Sequence, residues 1–231
     1  MAKPQAALAQ LDGLSGHTQI AYEGIRRLLF HNEIVPGQKI SYRDLSERLG
    51  MSQTPVIQAL KWLEFQQLVC HEPNRGYYIA HINAQEVEEV YDLRSLIELD
   101  LLEPTIKHLN KSGLHRLAVA LENHRKAFND GYLYDRLLRD MEYHLTLASM
   151  AGRIVHQQAL KNLFDLLYLK YGAKFLFNSI MGSIDTDHHT IFDNIAKRDL
   201  EGARHTLSEH IRRVKAHVLD NVQRVMAATR I

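Results

Sequence analysis

The chain has 231 residues and carries 28 Lys+Arg against 27 Asp+Glu, a formal net charge of +1. Its 45% hydrophobic and 24% charged residues exclude a disordered or collagen-like chain, and the near-neutral balance excludes a general polyanion-coating protein without excluding a local basic patch. A single cysteine, Cys70, excludes a disulfide framework and a cysteine-rich zinc site. No apolar run approaches the ~18 residues of a membrane span. The opening MAKPQAALAQLDGLSG lacks the continuous apolar block of a secretory signal, so the expected location is cytoplasmic, with no membrane partner. Histidine is the odd quantity: there are 14, and ten of them follow residue 82.

Residues 1–16 read as a flexible tail. Ile20, Ile25, Leu28 and Leu29 mark a first helix, stopped by the turn Val35-Pro36-Gly37. Ser41 with Asp44 opens a second helix, SYRDLSERL, which Gly50 ends. Thr54 is the expected cap of a third helix, with Pro55 in its first turn and Val56, Leu60 and Leu63 as its apolar stripe. LVCH and YYIAHI then flank the turn Pro73-Asn74-Arg75-Gly76, a hairpin signal. Four of the five prolines lie in this first part, leaving only Pro104 beyond it, so the remainder is free to be helical. Asn83 with Glu86 resembles a capping box and sets the boundary, giving domains at 17–82 and 83–231. Helical periodicity after it predicts helices near 84–109, 112–128, 132–151, 154–181, 186–197 and 200–227, with Gly131, Gly152 and Gly182 near the breaks. The expected fold is mainly α: a winged helix-turn-helix followed by an all-α bundle.

Two short helices joined at Gly50-Met51-Ser52, then a hairpin, present the N-terminal end of the second helix to a DNA major groove. Ser52, Gln53 and Thr54 would then face base edges, where Gln pairs with adenine and Ser or Thr reaches phosphate or base. Arg43, opening the preceding helix, and Arg75, at the wing tip, are candidates for phosphate or minor-groove contact. The charge footprint is faint, because residues 1–82 hold 8 Lys+Arg against 7 Asp+Glu. A helical hairpin that binds no nucleic acid is the competing reading of the same spacing.

The stretch PGQKISYRDLSERLGMSQTPVIQALKWLEFQQLVCHEPNRGYYIAHI resembles the DNA-binding domain of GntR-family bacterial repressors. The likeness runs from Thr18 to Ile82 and includes the Leu-Gly-x-Ser-x-Thr-Pro-Val core, the Ala-Leu-x-x-Leu continuation and the Arg75-Gly76 of the wing. It implies a double-stranded DNA partner and matches Arg43 to a DNA-contacting arginine of the family. The family has arginine where this chain has Gln53 and Ile57, which implies a non-standard operator, weaker affinity, or both.

In the second part, Asp140 and His144 in DMEYHLTL lie four apart and share one face of a helix. His188 and His210 fall on two further helices that neighbour each other in a bundle. Three imidazoles and a carboxylate suit a divalent transition metal, Zn²⁺ foremost, with Ni²⁺ or Mn²⁺ as alternatives. Chance supplies some such spacings among ten histidines; His108, His115, His124, His156 and His205 read as solvated or capping residues, and His217 could mimic a ligand face. Residues 84–227 resemble the FCD ligand-binding domain of the FadR subfamily, through VYDLRSLIELDLL, DMEYH and HHTIFDNIAKRDLEGARHTLSEHI. The resemblance implies Asp140, His144, His188 and His210 as metal ligands, His188 being favoured over His189 because Ile191, Asp193 and Ile195 then keep the family register. Six helices imply the shorter, metal-containing form of the domain. The resemblance also points Arg94 into the same cavity, where a guanidinium suits a carboxylate effector; the plainer alternative is an Arg94–Glu98 pair along one helix. Arg153 stands where the family has Asn.

GxGxxG after a strand, a P-loop, a GxSxG elbow and HExxH are all absent, and Cys70 has no evident base beside it. The expected protein is therefore not an enzyme. It is a metabolite-responsive regulator, a homodimeric repressor on an inverted-repeat operator, responding to a small organic acid. A metal-dependent enzyme with a DNA-binding adaptor and a pure metal sensor are the rival readings.

Overall fold

A computed structural model describes residues 16–79, 81, 83–130, 133–171 and 183–229. The chain divides into two compact units, Met1–His81 and Ile82–Ile231, one residue before the boundary expected from Asn83.

The first unit packs three helices against a small sheet. Helix α1 (Gly16–Phe30) starts within the stretch expected as tail and buries Ala21, Tyr22, Ile25 and Leu29. Helix α2 (Tyr42–Leu49) is capped as expected: Asp44 N–H donates to Ser41 Oγ at 3.2 Å. Its end falls at Gly50, whose φ of +66° is left-handed backbone that L side chains resist. Helix α3 runs Gln53–Phe65 and buries Val56, Ala59, Leu60 and Leu63 completely. Its N-cap is Ser52, not Thr54. Thr54 and Pro55 lie inside the first turn, where a missing N–H leaves no backbone acceptor unpaired. Strands β2 (Cys70–Glu72) and β3 (Gly76–Tyr78) form the expected hairpin, with Cys70 opposite Tyr78 and Glu72 opposite Gly76. A two-residue strand, β1 (Lys39–Ile40), completes an antiparallel sheet of order β1-β3-β2; it is too short to leave an alternation in the sequence.

The second unit holds six helices among its described residues: α4 (Ala84–Lys107), α5 (Lys111–Asp130), α6 (Leu133–Ser149), α7 (Ile154–Asp165), α8 (Ser183–Ala196) and α9 (Leu200–Thr229). Asn83 caps α4 by accepting from the backbone N–H of Gln85 and Glu86. The Glu86 carboxylate turns instead to Lys170 and Tyr171, so the reciprocal half of the capping box is replaced by a tertiary contact. Helix α7 passes directly into a π-helical turn, Leu166–Tyr171. The rest of the stretch expected to be helical to 181, with Gly131 and Gly182, lies outside the described residues. No described helix is long and apolar enough to cross a membrane.

Candidate metal centre and nucleic-acid interface

The bundle brings four of its chemistry-bearing residues to one point. Helix α6 supplies Asp140 and His144 one turn apart, α8 supplies His188 and α9 supplies His210. One ligand atom from each lies within 4.8 Å of the others. The three imidazole residues are at most 1% exposed. His144 Nε2 stands 3.2 Å from His188 Nε2, and Asp140 Oδ1 lies 3.4 Å from His188 Nε2 and 3.8 Å from His144 Nε2. Adjacent donors around a tetrahedral Zn²⁺ with ordinary Zn–N lengths are about 3.3 Å apart. The spacing and the mixed imidazole–carboxylate donor set therefore fit a divalent transition ion.

Neighbours aim these donors. His144 Nδ1 lies 2.6 Å from Glu98 Oε2 on α4, which assigns the ring proton to Nδ1 and turns the Nε2 lone pair inward. His210 Nδ1 lies 3.3 Å from Asp187 Oδ2, leaving Nε2 for the centre. Asp187 is also held by Arg213 at 2.6 Å. Tyr168 donates to Asp140 Oδ2 at 2.9 Å, so the two oxygens of that carboxylate are divided between the π turn and the imidazoles. Tyr143 fixes α8 by donating to the His188 carbonyl at 3.0 Å. His188 Nδ1 is buried without a hydrogen-bond partner.

Electrostatics favour the ligating forms of Asp140, His188 and His210. Burial pushes His188 well below the ordinary imidazole range, reinforced by His210, His124 and His144. Burial also lowers His210, against the raising effect of Asp187. Burial would raise Asp140, but His144, His210, His124 and Arg94 outweigh it and hold the carboxyl below its usual value. Glu98 behaves likewise: burial opposes its charge, yet His144 and Arg94 bring it down to about 2.

Arg94 lies beside the cluster, near enough for its charge to lower Asp140. Its Nε donates to Glu98 Oε1 at 2.8 Å, both side chains are 2% exposed, and its guanidinium lies 4.2 Å from the Phe164 ring centre. The Arg94–Glu98 pair along α4 therefore exists, but buried, and joined through Glu98 to His144.

His124 on α5 corrects the reading of it as solvated or capping. It is 2% exposed, with its ring centre 4.3 Å from that of His188. Its position offered a signal, since Leu117, Ala120 and Leu121 on the same helical stripe are all buried. Glu98, Asp187 and Tyr168 were also missed as site residues. By contrast, His108 caps α4 and its Nδ1 meets the Ala151 carbonyl at 3.2 Å. His115 and His205 are exposed, while His156 is half-buried beside Asp100. His217, half-buried, meets Asn221 at 3.2 Å. Arg153 sits at the N-cap of α7 without a side-chain cap bond and pairs with Asp100 at 2.8 Å.

In the first unit, Ser52, Gln53 and Thr54 form an exposed N-terminal end on α3. Arg43 extends from the start of α2 and pairs with Glu47 at 3.3 Å, with 76% of its side chain exposed. Arg75 pairs with Glu72 at 3.2 Å on the wing turn, where Gly76 opens β3 at φ +101°. Ile57 is half-buried within α3. Both arginines hold only surface pairs, which are weak and exchangeable for phosphate.

Comparison with known proteins gives two family matches. The model described as "Bacterial regulatory proteins, gntR family" covers residues 18–79, and "FCD domain" covers residues 89–213. The HTH-type transcriptional regulator YdhC of Bacillus subtilis is 25% identical over 194 residues, spanning 82% of this chain and 85% of that protein. The HTH-type transcriptional repressor RspR of Escherichia coli is 24% identical over 209 residues, spanning 90% and 92%. Among solved structures, E. coli McbR/YncC superposes with a TM-score of 0.79 at 19% identity, over 90% of this chain and 99% of that one. At such identity the likeness is one of fold.

Proposed function

The chain belongs to the gntR family of bacterial regulatory proteins, with an FCD domain behind its helix-turn-helix, and from that premise we propose a metabolite-responsive DNA-binding repressor of the FadR subfamily. It acts as a homodimer on an inverted-repeat operator, as two-fold symmetry requires. Ser52, Gln53 and Thr54 read the groove, while Arg43, Arg75 and the backbone at Gly76 hold phosphate or the minor groove. With glutamine and isoleucine at 53 and 57, base reading rests on neutral hydrogen bonds, and the operator departs from the usual one.

The observation that carries the regulatory half is the convergence of Asp140, His144, His188 and His210 at ligand spacing in the core of the bundle. These four hold a divalent ion, Zn²⁺ foremost, with Ni²⁺ or Mn²⁺ as alternatives. When bound, the ion supplies a positive charge and Lewis acidity that attract a small carboxylate. Arg94 adds a second, always-charged group beside the cluster. An effector that binds one arrangement of the dimer better than the other shifts operator affinity by that difference.

A second reading, in which the metal alone is the effector, is favoured by enclosure: the three histidine side chains are at most 2% exposed. One experiment separates the two. Purified full-length protein is stripped with chelator, reloaded with Zn²⁺, and titrated onto a duplex it has selected from a random pool, with and without citrate, its bound Zn²⁺ being measured in each state. Affinity changed by citrate at unchanged Zn²⁺ content supports the carboxylate reading, and affinity that follows Zn²⁺ content alone supports the sensor. Protein that takes up none of Zn²⁺, Ni²⁺ and Mn²⁺ refutes both.

A further inference from the structure

The π-helical turn Leu166–Tyr171 contributes none of the four clustered donors, yet it makes polar contacts in two directions. On one side the buried Tyr168 donates to Asp140 Oδ2 at 2.9 Å. On the other, Lys170, 7% exposed, donates to both oxygens of Glu86 at 2.7 Å, and the Tyr171 hydroxyl donates to Glu86 Oε2. Glu86 lies in the first turn of α4 and its backbone N–H is held by the Asn83 cap, a few residues past the division between the two units. These contacts join segments 28, 84 and 85 residues apart in sequence.

We propose that this π turn is the positioning element that couples occupancy of the Asp140 centre to the first turn of α4, with Tyr168 as the input and the Lys170–Tyr171 clamp on Glu86 as the output. The proposal rests on the regulatory reading above. Three physical points carry it. First, a π turn is uncommon in a helix and is frequent where function demands it. It offers a discrete alternative, because return to α-helical register re-aims every side chain of the turn. Such two-state elements, unlike continuously deformable ones, transmit coupling. Second, Asp140 divides its carboxylate, Oδ1 facing the imidazoles and Oδ2 facing Tyr168. A change in what Oδ1 binds turns the plane to which Tyr168 is tied. Third, Lys170 is a nearly buried ammonium that Glu86 neutralises, so the clamp cannot be released without stranding a charge.

The test is amide hydrogen exchange on the full-length chain, chelator-stripped and Zn²⁺-reloaded, read over residues 84–90. Reloading slows exchange there about tenfold in the wild type, since exchange reports the local opening free energy. Tyr168→Phe, with its Zn²⁺ content verified by elemental analysis, cuts that response to less than about threefold. Tyr171→Phe, which lies away from the ligands, retains full Zn²⁺ content and loses the response similarly. Equal exchange in stripped and loaded wild type overturns the proposal. So does a wild-type response in zinc-loaded Tyr168→Phe, or in Tyr171→Phe should Tyr168→Phe fail to hold metal. If residues 84–90 respond while operator affinity is identical in both states, the coupling stands and the regulatory reading fails.

Discussion

Glu98 is the residue whose loss tests the architecture of the candidate metal centre most directly. Its carboxylate bridges Arg94 Nε at 2.8 Å and His144 Nδ1 at 2.6 Å, and all three side chains are at most 2% exposed. Glu98→Gln keeps the shape and removes the charge, leaving the guanidinium without its directly bonded counter-ion. Breaking a buried pair by removing one partner costs about 3–5 kcal/mol. Two hydrogen bonds involving charged groups, at about 1.5–3 kcal/mol each, bound the same figure, and the glutamine amide retains part of it. The expected loss is therefore about 3 kcal/mol, or roughly 6–12 °C in midpoint for a domain of this size. Metal affinity falls with it, by the 10–100-fold typical of an outer-sphere partner of a ligating histidine. The assay is urea unfolding of metal-free protein, followed by Zn²⁺ titration of the folded variant. Arg94→Met combined with Glu98→Leu removes both charges, so it destabilises less than Glu98→Leu alone. A loss under about 1 kcal/mol for Glu98→Gln, or a double variant as unstable as the two singles added, would refute the buried-bridge reasoning.

Two further outcomes follow from the geometry. Arg43→Ala weakens binding to the selected duplex about equally across sequences and lowers the salt slope by about one, as loss of one phosphate contact requires; fluorescence anisotropy at several salt concentrations reads both, and an unchanged slope removes Arg43 from the interface. Lys215 on α9 meets Asp92 at 2.6 Å and Glu88 at 3.2 Å on α4, and although burial works against its charge these carboxylates raise its pKa above 10.5. Because the folded value is the higher one, the stabilisation is whole below 10.5 and is lost as pH rises through the folded value. The stability gap between wild type and Lys215→Met, about 0.5–1 kcal/mol for a partly exposed pair, narrows on that rise; a constant gap from neutral pH to above the folded value contradicts the assignment.

What the sequence disclosed and what it withheld divide by range. Ser41, Gly50, Asn83 and the Pro73–Gly76 turn announce themselves because caps and tight turns are decided within four residues. Even there, Ser52 and Thr54 are both good caps two positions apart, and Pro55 tolerates either start, so the pattern alone chose wrongly. Asp140 and His144 are legible as one helical face, whereas spacing alone does not group them with His188 and His210, and only the family resemblance does so. Glu98 on His144 and Lys170 on Glu86 span 46 and 84 residues, and no periodicity encodes such pairs. The π turn is equally silent, since LLYLKY is an unremarkable helical run in which only tertiary partners make the wider register worth its poorer hydrogen bonding. Yet His124, Arg94 and Glu98 share a trait that was visible: each is a polar residue set on a stripe of buried apolar ones. A charge or imidazole forced into that position has to be met by a partner from another helix. The apolar stripe thus marks buried polar positions before any partner is known, and in this bundle those positions lie around the Asp140, His144, His188 and His210 cluster.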